Sequence, residues 1–490
     1  VRAVACLILG TIAVSCVITG RSAPAAPRPA DRPYGGSPGS AGHYAGTSCS
    51  AASCHGGPGG RAGGEHTDWA PEVSPHGPYD PHSRAYRVLF DKDSQRMAKY
   101  LGLGNAHEAP LCLKCHAVEG AGPAVTEGVG CTACHGPADK WLTTHYMPEW
   151  KGLSNRDKFD HYGFVPTKNV VARVLACATC HVGDADREVN HDLIAAGHPR
   201  LAFEYTRFHY NPTYRKHWLE KTANPDFEVR AWAVGQAAAL RQAVEVLRAR
   251  AERARDAKAP WPEFAEGSCF ACHQSIGSPY PKDGQSPLRG AQGDRRGRPS
   301  GAVPWQPWYE SLGASVARYH DLLLPGVPGA GKIDLTELRQ EMEKPYPSAA
   351  KVEGLARKAR DDLDAWLAVW QAAEDRGAFP PVSAVRLDEL AYFVADGAFA
   401  SDGRLKDSDW DFVAQRYLGL TAFYHAGVAS DARMTAWRDP LVRLRGVLDL
   451  PRPLLDLQTG KKSGFDNPVN YQPAAAEALL RKLREIISTP

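Results

Sequence analysis

Five cysteine pairs, each followed at once by a histidine, carry the chemistry that this chain can do. The first is wide, Cys49 and Cys54 with His55; the others read Cys112-x-x-Cys115-His116, Cys131-x-x-Cys134-His135, Cys177-x-x-Cys180-His181 and Cys269-x-x-Cys272-His273. C-x-x-C-H is the attachment signature of haem c: two thiols become thioethers at the porphyrin edge, and the next imidazole reaches the iron. Zinc ribbons also use C-x-x-C pairs, but they need two pairs per metal and no histidine directly after the second cysteine. The expectation is five haems, or four if Cys49 and Cys54 form a local disulfide instead.

The cysteine count supports this. Of twelve cysteines, ten lie in the motifs and the remaining two, Cys6 and Cys16, lie in the first seventeen residues. No spare pair is left for a disulfide framework. Sixth ligands must come from elsewhere. Eighteen histidines less the five proximal ones leave thirteen, and only Met97 and Met147 represent methionine in the motif-bearing region. Bis-histidine ligation and low reduction potentials are therefore expected.

The elements that must position these groups divide the 490 residues into five stretches. Residues 1–25 read as an export signal, with Arg2, the apolar run Ala3–Val17 and the small-residue site Ala23-Pro24-Ala25. Retention of that run as an anchor, or a lipid on Cys16, is the alternative. Residues 26–42, rich in Pro, Ala, Gly and Ser, read as a flexible linker. Residues 43–275 hold all five motifs and one long helix, expected near 227–257 from Asp226 as its cap, an Ala-rich body and a basic end (Arg248, Arg250, Arg253, Arg255). Residues 276–306 form a Gly/Pro/Arg-rich loop whose Arg289, Arg295, Arg296 and Arg298 are read as solvated, pairing with haem propionates being the alternative. From 307 to 490, apolar spacing of three and four predicts helices near 307–324, 346–375, 387–400, 406–427, 431–448 and 473–488. The fold class is mainly α: a loop-rich multihaem region, one long helix and a helical C-terminal domain. Gly326–Lys332 imitates a phosphate-binding loop, but Ile333 stands where a magnesium-binding Ser or Thr belongs. With 58 basic and 55 acidic residues, nothing points to nucleic acid.

Residues 45–200 resemble the multihaem cytochrome c-554 family, related to hydroxylamine oxidoreductase and the pentahaem nitrite reductases. The resemblance rests on Pro81-His82-Ser83-Arg84-Ala85, on Gly128-Val-Gly-Cys-Thr-Ala-Cys-His-Gly-Pro137, and on His145 shortly after it. It implies crossed ligation: His145 opposite His55, His82 opposite His135, and His198 opposite His181. His191 is then left for the second or fifth haem. It also implies stacked haem pairs, and a second haem that can lack a strong sixth ligand. His107, His209, His217 and His320 are read as structural.

Two functions compete. One is an exported electron carrier working between periplasmic or membrane-associated redox proteins. The other is an oxidoreductase on a small inorganic nitrogen or sulfur compound at a five-coordinate iron, with Arg207, His209, Tyr210, Tyr214, Arg215 and His217 around it. No motif ends in lysine in place of histidine, as the related nitrite reductases would have it. The carrier is the favoured reading, and an iron with an open face is what would separate the two.

Overall fold

The long helix expected near 227–257 is the spine of the molecule. In this computed structural model the described residues are 32–34, 44, 46–57, 64–70, 80–118, 123–209, 217–218, 226–255, 259–269, 303–329, 331–379, 382–403, 405–407, 409–426, 431–450 and 471–488. The export segment 1–25, Cys272, His273, Tyr210, Tyr214, Arg215 and the four loop arginines lie outside them. The spine runs Asp226–Arg255 and packs along Ala349–Asp375 and across Val170–His181. Ala237, Ala238 and Ala251 on it are fully buried. Small side chains let neighbouring backbones approach on several sides at once, so the middle of this helix, residues 231–240, is buried all round rather than along one stripe.

The architecture is mainly helical; among the described residues there is no strand, and only two isolated bridges occur, Gly267 with Trp305 and Phe399 with Leu405. In the C-terminal half the observed helices are Pro307–Glu310, Val316–Leu323, Thr336–Met342, Ala349–Asp375, Ala384–Asp396, Trp410–His425, Asp431–Val447 and Pro473–Ser488. Thr336–Met342 was not expected. It follows the phosphate-loop imitation, where Ile333 and Leu335 are buried in the core and hold the turn by apolar contact.

One apolar core runs from Val170 to Ile487 and includes Trp232, Trp366, Trp370, Trp410 and Trp437, each almost wholly buried. It crosses the expected boundary between residues 275 and 307, so the spine and the C-terminal helices share a single interior. The region before Val170 is different. Its apolar clusters are small, such as Leu89, Ala98 and Ala106, or Ala138, Trp141 and Trp150. A chain segment of that length with so little apolar burial needs another filler to be stable.

The expected linker is tied down where it is described. Tyr34 is buried, its N–H donates to Gln371 Oε1 (2.5 Å) and its hydroxyl to Asp375 (2.6 Å). Its ring packs on Phe159 and under the Arg156 guanidinium. An aromatic ring with a satisfied hydroxyl gains from burial what the small flanking residues cannot.

The basic end of the spine grips two neighbouring segments. Arg250 bonds Glu188 (2.6 Å) and Glu266 (2.8 Å), and Arg253 bonds Glu188 (2.6 Å). Beyond Glu266, Ser268 and Asp409 share a buried hydrogen bond, and Asp409 accepts the Asp411 N–H at 2.9 Å to cap Trp410–His425. Burial, and then the neighbouring Asp411 and Asp407, raise the Asp409 pKa from 3.8 to about 8. The neutral carboxyl therefore favours the folded state. Its contribution is complete below the unfolded value, falls as pH rises towards the folded value, and then levels off. Asp409→Asn should flatten the loss of denaturant stability between pH 5 and 8 by up to about 1.4 kcal/mol per pH unit; parallel curves for the two proteins would refute the assignment.

Candidate metal centres

Each motif presents its groups from a local element. Cys112, Cys115 and His116 lie on the helix Pro110–His116, Cys131, Cys134 and His135 on Cys131–His135, and Cys177, Cys180 and His181 at the end of Val170–His181. Residues three and four apart share a helix face, so both sulfurs and the imidazole point to the same side. The wide first site uses a 3-10 turn, Gly46–Cys49, and a tight turn closed by Cys54 N–H on Ala51 O (2.8 Å). Of the fifth motif only Cys269 is described, half-buried, with Arg200 hydrogen-bonded to it.

Four of these histidines face a second histidine from a distant segment. His55 faces His145 with ring centroids 6.2 Å apart and planes 13° apart. His116 faces His198 at 6.4 Å, His135 faces His217 at 6.2 Å, and His181 faces His82 at 6.0 Å. Imidazole nitrogens sit about 2 Å from a bound metal, and the ring centre lies roughly 1 Å further back, so two rings sharing one metal stand near 6 Å apart. The four separations fit that value.

Hydrogen bonds orient the rings. Nδ1–H of His116 donates to Ala85 O (2.8 Å), that of His145 to Leu142 O (2.9 Å), and that of His198 to Pro199 O (2.7 Å). His82 Nδ1–H donates to Asp80 Oδ1 (2.9 Å) and His55 Nδ1–H to Glu65 Oε2 (3.1 Å). Carbonyl and carboxylate oxygens accept only, so Nδ1 holds the proton and the lone pair lies on Nε2. This is the pattern in which an outer acceptor fixes the tautomer of a metal-bound imidazole. His135 Nδ1 is buried without a hydrogen-bond partner.

Burial keeps most of these rings neutral, the form that binds metal. It pushes His135 down to about 4 and His181 to about 3, and it lowers His116, His198 and His217. His82 differs: burial alone would lower it, but the Asp80 carboxylate raises it overall. Among the described residues no three or more of His, Cys, Asp and Glu gather around one point. Pairs of this kind suit an iron whose remaining four positions are filled by a porphyrin.

The structure rearranges the expected ligand pairs. His145 lies opposite His55, as expected. His82 does not face His135: Asp80 accepts from both its main-chain N–H and its Nδ1–H and turns the ring towards His181. His198 does not face His181. Its loop leans on the unit that carries the second motif, where a Cβ on Gly197 would touch Met97 at 3.8 Å, and Arg187 reaches Lys114 O at 2.9 Å. His217, read as structural, stands opposite His135. It is placed there by Trp218 beside it, which lies on the Arg173 guanidinium (4.8 Å) and bonds Thr167. An exposed linker would not hold an indole there.

His191 faces none of the four described motif histidines. It opens the helix His191–Ala195 with its N–H on Glu263 Oε1 (2.9 Å) and its ring edge on Phe264 (5.8 Å). Of the histidines read as structural, His107 stacks on Phe90 and His209 on Tyr205. His320 uses both nitrogens, Nε2–H to Val327 O and Nδ1 from Trp370 Nε1–H.

The glycines of the Gly128–Pro137 phrase have a physical reason. A side chain at Gly128 (φ +85°) would come within 2.7 Å of His82 O, to which Val129 N–H also donates (3.0 Å). At Gly136 (φ +81°) it would come within 2.3 Å of Gly163 O. The third motif is thus packed backbone to backbone against the segments on either side.

Residues 78–136 match the family model described as cytochrome c554 and c-prime. The match spans the His82 segment, the second motif and the third motif through Gly136. It supports a c-type cytochrome involved in electron transfer, with haem c as cofactor. No curated protein and no solved structure matches the chain.

Arg173 braces this arrangement from beneath, donating to Thr167 O (2.8 Å) while only 2% exposed under Trp218. Arg173→Ala should cost roughly 2–3 kcal/mol in urea denaturation of the holoprotein. A loss under about 0.5 kcal/mol, the range of surface substitutions, would show that the brace is dispensable.

Proposed function

We propose that this c-type cytochrome is an exported electron carrier that binds five haems, four of them held between the facing histidines His55/His145, His116/His198, His135/His217 and His181/His82. The observation that carries this reading is the set of four facing pairs, which leaves none of those irons an open face. Bound haem supplies one-electron exchange between ferric and ferrous iron. The chain supplies spacing, orientation and potential.

Sulfur contacts give the order of the sites. Cys49 lies beside Cys131, and Cys115 beside Cys180, while Cys134 lies in the electrostatic reach of Cys177 and Cys180. The first and third attachment points therefore adjoin, as do the second and fourth, with the third and fourth linking the two. Electrons would enter at one end of the series first–third–fourth–second and leave at the other, between periplasmic or membrane-associated redox proteins. Among the described residues no helix is long and apolar enough to cross a membrane; the N-terminal run would serve export. An oxidoreductase acting on a small nitrogen or sulfur compound needs an iron with one open position, and the four pairs argue against one at these motifs.

Asp80 tunes the middle of the series. It holds His82, and it lies in the electrostatic reach of His217. A carboxylate behind an axial imidazole favours the ferric state.

Mass spectrometry of the mature protein should give five attached haems, and electron paramagnetic resonance of the oxidised protein should show low-spin iron at the four paired sites. High-spin signal exceeding one iron per chain would overturn the carrier. Spectroelectrochemical titration of Asp80→Asn should move one haem upward by roughly 60 mV, a tenfold change for a one-electron couple; an unchanged set of potentials would remove Asp80 from the tuning role.

A further inference from the structure

The acceptors behind the facing imidazoles are not equivalent. From them we infer that the second haem has the highest potential of the four paired sites, so that electrons enter at the first and leave at the second. This rests on the reading of the facing histidines as ligand pairs, and it gives that series a direction.

Carboxylates stand behind three of the pairs. Asp80 Oδ1 accepts from Nδ1–H of His82, opposite His181, at 2.9 Å, and Glu65 Oε2 accepts from Nδ1–H of His55, opposite His145, at 3.1 Å. His217, opposite His135, lies in the electrostatic reach of both carboxylates. A full negative charge behind an axial imidazole stabilises ferric iron and lowers its potential. Asp80 is the better shielded of the two, 18% exposed against 33% for Glu65, so solvent screens it less. The second pair has neutral acceptors on both sides. His116 Nδ1–H donates to Ala85 O (2.8 Å) and His198 Nδ1–H to Pro199 O (2.7 Å), both main-chain carbonyls.

A cation widens this difference. Arg187 is buried, and its Nε–H donates to Lys114 O (2.9 Å), between the two cysteines of the second motif. Its guanidinium lies in the electrostatic reach of the Cys115 and Cys180 sulfurs. Asp184 binds it at 2.8 Å, yet at Cys115 the cation acts more strongly than the anion. Positive charge in a low-dielectric setting favours ferrous iron, which carries one charge less. The turn that bears Arg187 is held from several sides. Asp184 Oδ1 accepts from the N–H groups of Asp186 (2.9 Å) and Arg187 (2.8 Å), Gln242 on the spine donates to Gly183 O (3.1 Å), and Lys114 Nζ donates to Asp186 O (2.9 Å). The charge is therefore fixed against the second attachment site. The fourth site feels Arg187 and Asp80 together and falls below the second. The net drive thus runs from the first site to the second: one electron taken from a reduced redox protein passes to an oxidised one, with no proton or group transferred.

Alanine variants of His145, His198, His217 and His82 in the full-length holoprotein should each remove one low-spin signal and so identify the four sites. During stepwise reduction of the wild type, the signal missing from His198→Ala should be the first of these four to disappear. If another of the four disappears first, the assignment is overturned. Arg187→Gln should lower the potential of that site by about 60 mV, a tenfold change in the ferrous-to-ferric ratio. Arg187→Lys, which keeps the charge, should lower it far less. Equal potentials in the wild type and both variants would overturn the part given to Arg187. If none of the alanine variants removes a signal, the paired-histidine reading itself fails, an outcome distinct from a wrong order of potentials.

Discussion

Two imidazoles standing opposite one another with ring centroids about 6 Å apart are the constraint around which the N-terminal half is organised. Each pair joins a motif histidine to one far along the chain: His55 to His145, His116 to His198, His181 to His82. Loop closure over such spans is entropically unfavourable, and the apolar clusters before Val170 are too small to offset it alone. Under the proposed reading the haem supplies both the missing interior and the bond that closes each loop. This accounts for the helices of four to nine residues described before Val170, such as Cys131–His135 and Lys92–Tyr100, which would be marginal in isolation.

The C-terminal half solves a different problem. It is a conventional helical core, dense in fully buried tryptophans, and the spine Asp226–Arg255 belongs to it as much as to the motif region. Val170–His181 is the junction. Its buried valines and Leu175 enter the large core, while its last turn carries Cys177, Cys180 and His181. Rigid support from one side lets a short motif hold its imidazole in one orientation. The arginines at the end of the spine serve the same purpose by pinning Glu188 and Glu266, on the two loops that flank Cys269. Over a third of the chain carries no cysteine, and this packing is its contribution.

Much of this was legible from residues alone. The spine came out within two residues of expectation at either end, because alanine-rich sequence with a basic end and prolines beyond it leaves little freedom. Most C-terminal helices were legible from apolar spacing. Thr336–Met342 was not, because seven residues are too few to show a period. The tether at Tyr34 was hidden because composition describes a stretch and not the one aromatic residue in it that finds a pocket. His217 was hidden because a lone histidine carries no mark of what it faces.

What the sequence by itself determined is the local pattern, five cysteine pairs each followed by a histidine, and the mainly helical class. Covalent attachment demands a local pattern, and local patterns survive in a linear reading. What only the tertiary structure decided is which histidine meets which. The exchange of partners, with His82 opposite His181, His198 opposite His116 and His217 opposite His135, follows from Asp80 turning one ring and from a loop leaning on Met97. Those are contacts between segments tens of residues apart. Facing geometry is a property of space and not of order along the chain, so no spacing rule could supply it.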